Sequence, residues 1–335
     1  GRQRFTFLTG ISKFSKVSIF SDLNNLKDMT MERSCATLFG YTRGEVERNL
    51  PGLLGRFAEA NGLTRAQGLA EIERWYDGYR FEEEAERVIN PVSLGLCLAS
   101  CKLRNYWATT AMTTFLMDAL KRRPLNFAKV DVDESVLGTY EPDRADFTTL
   151  LFQTGYLTIT GFQQRGTTRR YALDFPNLEV ENSFLRQVVP AYTGQEQNRA
   201  NDIQADAVDA LYAGEPERFV AALKRLFANI PYDLTDRQNE QMWQAIVYVV
   251  LKMVGVDVGG EVKTNEGRID MTLETPEHGY VVEFKLGASA AEAIAQIRAN
   301  RYADRFAGNG KTLTLVGLAF SKERRTIVDA AIEEC

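Results

Sequence analysis

Two neighbouring segments near the C-terminus alternate apolar and polar residues, and this alternation constrains the fold more than any other feature. Residues 268–273 read Arg-Ile-Asp-Met-Thr-Leu, and residues 281–286 read Val-Val-Glu-Phe-Lys-Leu. Period-two alternation is typical of half-buried strands. The short linker between the segments contains a proline and a glycine, so the sequence predicts a hairpin. In that hairpin, Asp270 lies across from Glu283 and Lys285 on one polar face.

The polar face of this hairpin brings two carboxylates and one ammonium group together. Such a set suits an oxygen-seeking divalent cation, Mg²⁺ or Mn²⁺, and the phosphate chemistry that such an ion supports. The same pattern is also typical of an ion-pair ladder on an exposed hairpin, and the pattern alone favours the ladder. The order of the surrounding elements is needed to decide between the two interpretations.

Composition limits the function classes that are open to this chain. Its 335 residues, 44% of them hydrophobic, are enough for two or three globular cores. The apolar run 245–251 is far shorter than the roughly 20 residues of a membrane span, so a cytoplasmic location without membrane contact is expected. The net charge of −5 argues against coating nucleic acid by bulk electrostatics. One histidine and four scattered cysteines indicate neither a catalytic triad nor a zinc or disulfide framework.

Local signals predict helices in the first third of the chain. Thr42 and Thr64 each begin a capping-box pattern, which predicts helices over 43–59 and 65–75. An Asp-Gly pair between aromatic residues predicts a small hairpin over 75–81.

The middle of the chain predicts a helix followed by two strands. The helix is expected over 147–155 and the strands at 156–160 and 171–173, an order that resembles a winged-helix unit. A packing role is favoured for this unit over DNA binding. Residues 181–228 are expected to be largely helical, and residues 5–9 are expected to form a buried strand.

From residue 239 onward the expected order is a helix, three strands, a helix, a strand and a final helix. Besides the two strands described above, these elements are expected at 239–254, 257–264, 288–307, 312–319 and 322–333. The first helix is apolar on almost every side, which predicts burial against a sheet.

This αβββαβ order, with Asp270, Glu283 and Lys285 in place, resembles the PD-(D/E)XK nuclease superfamily. The resemblance includes Gly-Arg-Ile-Asp at 267–270, Val-Glu-Phe-Lys at 282–285, and a Gln and a Tyr in the next helix. It implies a restriction-endonuclease-like core that hydrolyses phosphodiester bonds in nucleic acid, with DNA as the favoured substrate, using Mg²⁺ or Mn²⁺. The implied metal ligands are Asp270, Glu283, the Phe284 carbonyl and, as an additional acid, Glu261. The implied catalytic set is Asp270, Glu283, Lys285, Gln296 and Tyr302.

Three arginines follow the Glu-Phe-Lys strand at helical spacing. Arg298, Arg301 and Arg305 fall on one helix face and could track a nucleic-acid backbone. On spacing alone, a solvated helix face is the favoured interpretation.

The N-terminal half resembles a family in which an AAA-ATPase-like domain precedes the nuclease domain. The resemblance rests on motifs at 8–16, 23–28, 75–81, 90–93, 155–158 and 175–177. It implies a mixed α/β protein with four parts: the remnant of a P-loop ATPase core at 1–30, a helical lid-like region at 31–145, a winged-helix-like and helical region at 146–235, and the nuclease domain at 236–335.

The ATPase resemblance also implies where ATP would bind. The phosphate-binding loop is expected upstream of Gly1, so ATP would act only through that part, and this chain alone is not expected to hydrolyse ATP. Residues 308–312 end like such a loop, but Arg305 stands where its first glycine should be. The oligomeric state is left open, with a homo-oligomer through the ATPase part as one expectation. The alternative function is a catalytically silent module that binds nucleic acid or a protein partner under control of the ATPase.

Overall fold

The structure is a computed structural model that describes residues 4–7, 9–10, 27–107, 130–137, 147–193, 196–228, 252, 268–299, 310–321, 323–324 and 326–335. The chain divides into two units. The first comprises residues 1–112 and 129–184, and the second comprises 113–128 and 185–335. Each unit has an apolar cluster of its own.

The first unit begins with helices whose starts the sequence specifies. The helices are α1 (Arg43–Asn49), α2 (Pro51–Ala60), α3 (Arg65–Tyr76) and α4 (Pro91–Ser100). Thr42 and Thr64 form complete capping boxes, as predicted. The predicted helix over 43–59 is interrupted at Leu50, because Pro51 lacks an N–H and starts a new helix at its first position. Asn90 caps α4 by accepting hydrogen bonds from two backbone N–H groups.

Two local predictions for the first unit were wrong. Residues 5–7 and 9 form no strand and are exposed. The segment 75–81 is no hairpin, because Trp75 and Tyr76 complete α3. Gly78 instead takes a φ of +117°, and a Cβ atom there would lie 1.9 Å from the Pro176 carbonyl oxygen. The glycine is therefore needed for a close backbone approach rather than for a hairpin turn.

A small antiparallel sheet completes the first unit. Its strands are β1 (Val130–Asp133), β2 (Thr158–Arg165) and β3 (Thr168–Asp174), in the spatial order β1-β3-β2. Helix α5 (Phe147–Gln153) precedes β2, so the predicted order of a helix and two strands is confirmed.

Three further helices follow the small sheet along the chain. They are α6 (Leu178–Thr193), α7 (Gln197–Tyr212) and α8 (Pro216–Phe227), which confirms the helical prediction for 181–228.

The second unit contains a four-stranded sheet. Its strands are β4 (Arg268–Glu274), β5 (His278–Leu286), β6 (Thr312–Ser321) and β7 (Thr326–Glu334), and they lie in that order. Strands β5 and β6 are parallel, and helix α9 (Ala290–Ala299) connects β5 with the segment that precedes β6. The expected helix over 239–254 and strand over 257–264 lie outside the described residues, except for residue 252.

The final helix predicted over 322–333 is a strand. Residues 326–334 pair antiparallel with β6. Ala331, Glu333 and Glu334 favour a helix locally, whereas Thr326, Ile327 and Val328 favour a strand. Strand β6 also offers a row of backbone hydrogen-bond partners. Pairing across the sheet therefore outweighs the local preference.

Helices cover both faces of this sheet. On one face, Val281 and Leu315 pack with Ile294 and Ile297 of α9. On the other face, the Tyr280 hydroxyl donates to the Leu211 carbonyl at the end of α7 (2.7 Å). The sheets and helices together confirm a mixed α/β fold. Among the described helices, none is long and apolar enough to cross a membrane.

Candidate active site

Glu283 lies in the middle of β5 and is completely buried. Its neighbours in register are Asp270 on β4 and Gly317 on β6. The exposed fraction of Glu283 is 0%, and neither carboxylate oxygen accepts a hydrogen bond from the residues that the structure describes. A buried carboxylate without hydrogen bonds is costly, so its environment must supply another form of compensation.

That compensation is the ammonium group of Lys285. The Lys285 Nζ lies 3.1 Å from Glu283 Oε1, which is an ion pair without hydrogen-bond geometry. The same Nζ donates a short hydrogen bond to Gln296 Oε1 on α9. Because side chains alternate along a strand, Glu283 and Lys285 share the face of β5 that Val281 presents to α9. The predicted polar face therefore lies beneath a helix.

Helix α9 is fixed over this face by its N-terminus. Ser289 and Glu292 exchange hydrogen bonds between side chain and backbone (2.9 and 3.2 Å), and the Ala290 N–H donates to Asp329 of β7 (3.4 Å). Gly317 permits the close approach, because a Cβ atom there would lie 2.4 Å from the Ala290 carbonyl oxygen. These contacts determine where Gln296 meets Lys285.

The comparison with known families identifies this region. Residues 238–330 match the family described as the PD-(D/E)XK nuclease superfamily. A PD-(D/E)XK nuclease superfamily domain therefore lies at the C-terminus. The match spans β4, β5, helix α9, β6, the first part of β7 and the Glu283–Lys285 pair.

A comparison with curated proteins extends beyond the nuclease superfamily domain. The chain is 35% identical over 341 residues to the "Uncharacterized protein in vnfD 5'region" of Azotobacter chroococcum mcd 1. The alignment covers 98% of this chain but 63% of that relative. No solved structure matches the chain.

Some of the predicted site residues of the nuclease superfamily domain can be placed, and others cannot. The backbone pairing confirms that Asp270 lies opposite Glu283, but the side chains of residues 268–271 lie outside the described part. Glu261, Arg301, Tyr302 and Arg305 also lie outside it. The Phe284 side chain is on the other face, with its ring 5.6 Å from that of Phe320. Among the described side chains, no group of three His, Cys, Asp or Glu residues could hold a metal ion.

Arg298 lies on α9 but contacts a different strand from Gln296. Its guanidinium group forms a close ion pair with Glu333 of β7, whereas Gln296 contacts Lys285 of β5. The Arg298 side chain is largely exposed to solvent (65%), and the Glu333 side chain is partly exposed (39%). Exposed pairs contribute little stability, so this contact leaves Arg298 able to exchange its partner for another anion.

Two residues that shape the site were missed at the level of sequence. Gly317 sets the distance between α9 and β6, and Asp329 accepts from the first N–H group of α9. A glycine inside a predicted strand is a recognisable signal of close approach. No comparable signal marked Asp329, because its segment was predicted to be helical.

Proposed function

We propose that the C-terminal domain hydrolyses phosphodiester bonds in nucleic acid, with DNA as the favoured substrate. The observation that carries this proposal is the buried Glu283 carboxylate, which lies opposite Asp270 and contacts a lysine held by Gln296. Within the described part of the chain, this carboxylate accepts no hydrogen bond. Membership of the nuclease superfamily supports the reaction class. Most buried polar side-chain atoms have at least one hydrogen-bond partner, whereas both oxygens of Glu283 lack one among the described residues.

The residues present fit a divalent cation. Nucleases of this superfamily typically use divalent metal ions such as Mg²⁺. The two buried Glu283 oxygens are hard donors that form no hydrogen bond with any described residue. We propose that Asp270, the Phe284 carbonyl and Glu261 supply the rest of the set. When bound, Mg²⁺ or Mn²⁺ would polarise the scissile phosphate and acidify a water molecule.

Lys285 and Gln296 would act on the reacting groups. Lys285 Nζ can donate to a phosphate oxygen or orient the attacking water, and its positive charge offsets the negative charge that develops during the reaction. Gln296 Oε1 holds Lys285 in place, while Gln296 Nε2 is a buried donor that has no acceptor among the described residues. That amide group is available to a phosphate oxygen of the substrate. Tyr302 is proposed to support the same contact.

A cleavage assay tests this proposal. Single-stranded, duplex and branched DNA, and RNA, are incubated with the protein in Mg²⁺ or Mn²⁺. Lys285→Ala should lose cleavage and keep nucleic-acid binding, whereas Asp270→Asn should lose both cleavage and metal binding. The matched control is Lys311→Ala, because Lys311 forms an ion pair of similar length with Glu274 (3.0 Å) at the far end of β4. Metal-independent cleavage, or equal cleavage by Lys285→Ala, would contradict the proposal.

The burial of Glu283 favours a second candidate function. A carboxylate with no exposed surface and a lysine partner also suits a catalytically silent domain that binds nucleic acid or a protein partner. This candidate predicts binding of DNA without cleavage on any of these substrates. Arg298, Arg301 and Arg305 are proposed to contact phosphates in either case, so their triple alanine variant should show a shallower salt dependence of binding.

Coupling to an ATPase is also proposed. Its support is the resemblance of the N-terminal motifs to AAA-ATPase-like proteins. The test compares nuclease activity, with and without ATP, in a longer protein that includes a phosphate-binding loop. A homo-oligomer formed through that part and a cytoplasmic location remain predictions from the sequence.

A further inference from the structure

The Lys285 ammonium lies against Oε1 of Glu283, one of the two oxygens that a metal ion would use. Its Nζ lies 3.1 Å from Glu283 Oε1, and only 13% of the Lys285 side chain is exposed. A Mg²⁺ ion binds carboxylate oxygen at about 2.1 Å. An ion on that oxygen would therefore lie at most about 5 Å from the ammonium if Lys285 did not move. Two cations at that distance beneath a helix repel each other strongly, because little water screens them.

Gln296 provides a second anchor for the same ammonium. It accepts a hydrogen bond from Lys285 Nζ through Oε1, and its helix is fixed by the Ser289–Glu292 cap and by Asp329. Lys285 can therefore lose its contact with Glu283 and remain at the site through Gln296. The anchor and the carboxylate lie on different elements, α9 and β5, so one contact can break while the other persists.

We propose that a divalent cation must displace Lys285 from Glu283, so that the lysine is a built-in competitor for the metal. In the displaced position, Gln296 holds the ammonium beside the substrate. Before the ion binds, Lys285 is therefore paired with Glu283, and after the ion binds, Lys285 takes part in the reaction. This inference rests on the proposed function, because it requires Glu283 to be a metal ligand.

Titration calorimetry with Mn²⁺ alone tests the competition without an activity readout. The protein, Lys285→Met and Lys311→Met are compared at one ionic strength. Methionine keeps the length of the side chain and removes the charge. Lys285→Met should bind Mn²⁺ roughly tenfold more tightly, because the competing cation is gone. Lys311→Met removes the same charge from an ion pair outside the site and should bind like the unmodified protein.

Thermal unfolding provides a second measurement. In EDTA, Lys285→Met should have a lower Tm than the unmodified protein, because Glu283 is left buried without a counter-ion. Added Mn²⁺ should raise the Tm of Lys285→Met more than that of the unmodified protein. If Lys285→Met does not fold, Lys285→Gln replaces it, since glutamine is neutral and can still bond to Gln296.

The outcomes separate this inference from the proposed function. Unchanged or weaker Mn²⁺ binding by Lys285→Met, with normal binding by the unmodified protein, overturns the competition and leaves the metal site intact. Glu283→Gln should abolish Mn²⁺ binding. If Glu283→Gln binds as the unmodified protein does, or if no variant binds Mn²⁺, both the metal site and the competition are wrong.

Discussion

Two glutamates, one in each unit, are completely buried, but their surroundings differ. In the first unit, Glu179 Oε1 accepts hydrogen bonds from the backbone N–H groups of Tyr106 (2.6 Å) and Trp107 (2.9 Å). In the described part of the second unit, no group donates a hydrogen bond to Glu283, which has the Lys285 ammonium as its ion-pair partner. Backbone donors are permanent parts of the fold, whereas a lysine side chain can move. Among the described residues, Glu179 Oε2 also lacks a donor, so the two glutamates differ in one respect: backbone N–H groups hold one oxygen of Glu179 and neither oxygen of Glu283.

The position of Glu179 explains its structural role. It lies in the first turn of α6, after Asn177, whose side chain accepts from the Val180 N–H group (3.1 Å). The positive end of a helix favours a carboxylate there. Burial nevertheless raises the pKa of Glu179, and bonds from Ser93 and from the two backbone N–H groups only partly oppose that rise. The residue thereby ties segment 106–107 to the start of α6.

The largest expected effect comes from exchanging each glutamate for glutamine, which keeps the shape and removes the charge. Glu283→Gln should slow metal-dependent cleavage by roughly a thousandfold, because a ligand charge is lost. Glu179→Gln should leave the cleavage rate unchanged. The rates are measured on the best substrate in Mg²⁺. An equal loss of cleavage rate in both variants would show that the two glutamates do not differ in their role.

Removing the Glu179 carboxylate should cost stability instead of activity. Glu179→Ala should lower the free energy of unfolding by about 3 kcal/mol, because two backbone N–H groups lose their acceptor in a buried setting. Trp75 and Trp107 belong to this unit and Trp243 to the second, so urea unfolding is followed by tryptophan fluorescence in a Trp243→Phe background. The control is Glu59→Ala, which removes an exposed glutamate from α2. A loss no larger than that of the control would show that the backbone bonds contribute little.

Gly317→Ala should disturb the environment of Glu283 from the neighbouring strand, β6. A Cβ atom would lie 2.4 Å from the Ala290 carbonyl oxygen, so α9 must shift, at a cost of about 2 kcal/mol. The shift should also lower cleavage, because Gln296 moves with α9. The control is Gly95→Ala in α4, where nothing lies within 4 Å of the added atom. Unchanged unfolding and cleavage in Gly317→Ala would mean that the helix position does not set the site.

The smallest expected effect is a pH dependence in the first unit. The folded-state pKa of Glu179 is raised above its usual 4.5, so its protonated form is favoured in the folded protein. Its stabilising contribution is therefore complete below about pH 4.5 and is lost as pH rises through the folded pKa. Relative to Glu179→Gln, the loss should be on the order of 1 kcal/mol for each unit of pKa shift. Urea titrations at several pH values measure the free energy of unfolding of both proteins. The same dependence of that free energy on pH in both proteins would contradict this prediction.

The features that the sequence predicted correctly depend on neighbouring residues. The capping boxes at Thr42 and Thr64 formed because their partners lie three residues away. The β4–β5 hairpin and its register followed from alternation and a short turn, which together place Asp270 opposite Glu283. The capping boxes and the hairpin therefore depend only on residues that are close together in the sequence.

The missed features depend on distant residues. The final strand formed because β6 offered a backbone edge that outweighed the helical preference of residues 326–334. Glu179 would ordinarily be solvated at a helix start, and its burial became visible only once segment 106–107 was placed against it.

The sequence by itself determined that Asp270, Glu283 and Lys285, the residues proposed to carry the chemistry, lie on two paired strands, because their spacing is a local property of the chain. The tertiary structure alone decided how deeply those residues are buried and which groups they contact. Helix α9 covers the polar face, Gly317 sets how closely it approaches, and Gln296 reaches Lys285. Burial and ion pairing arise from atoms that are far apart in sequence, so no pattern within a single segment could specify them.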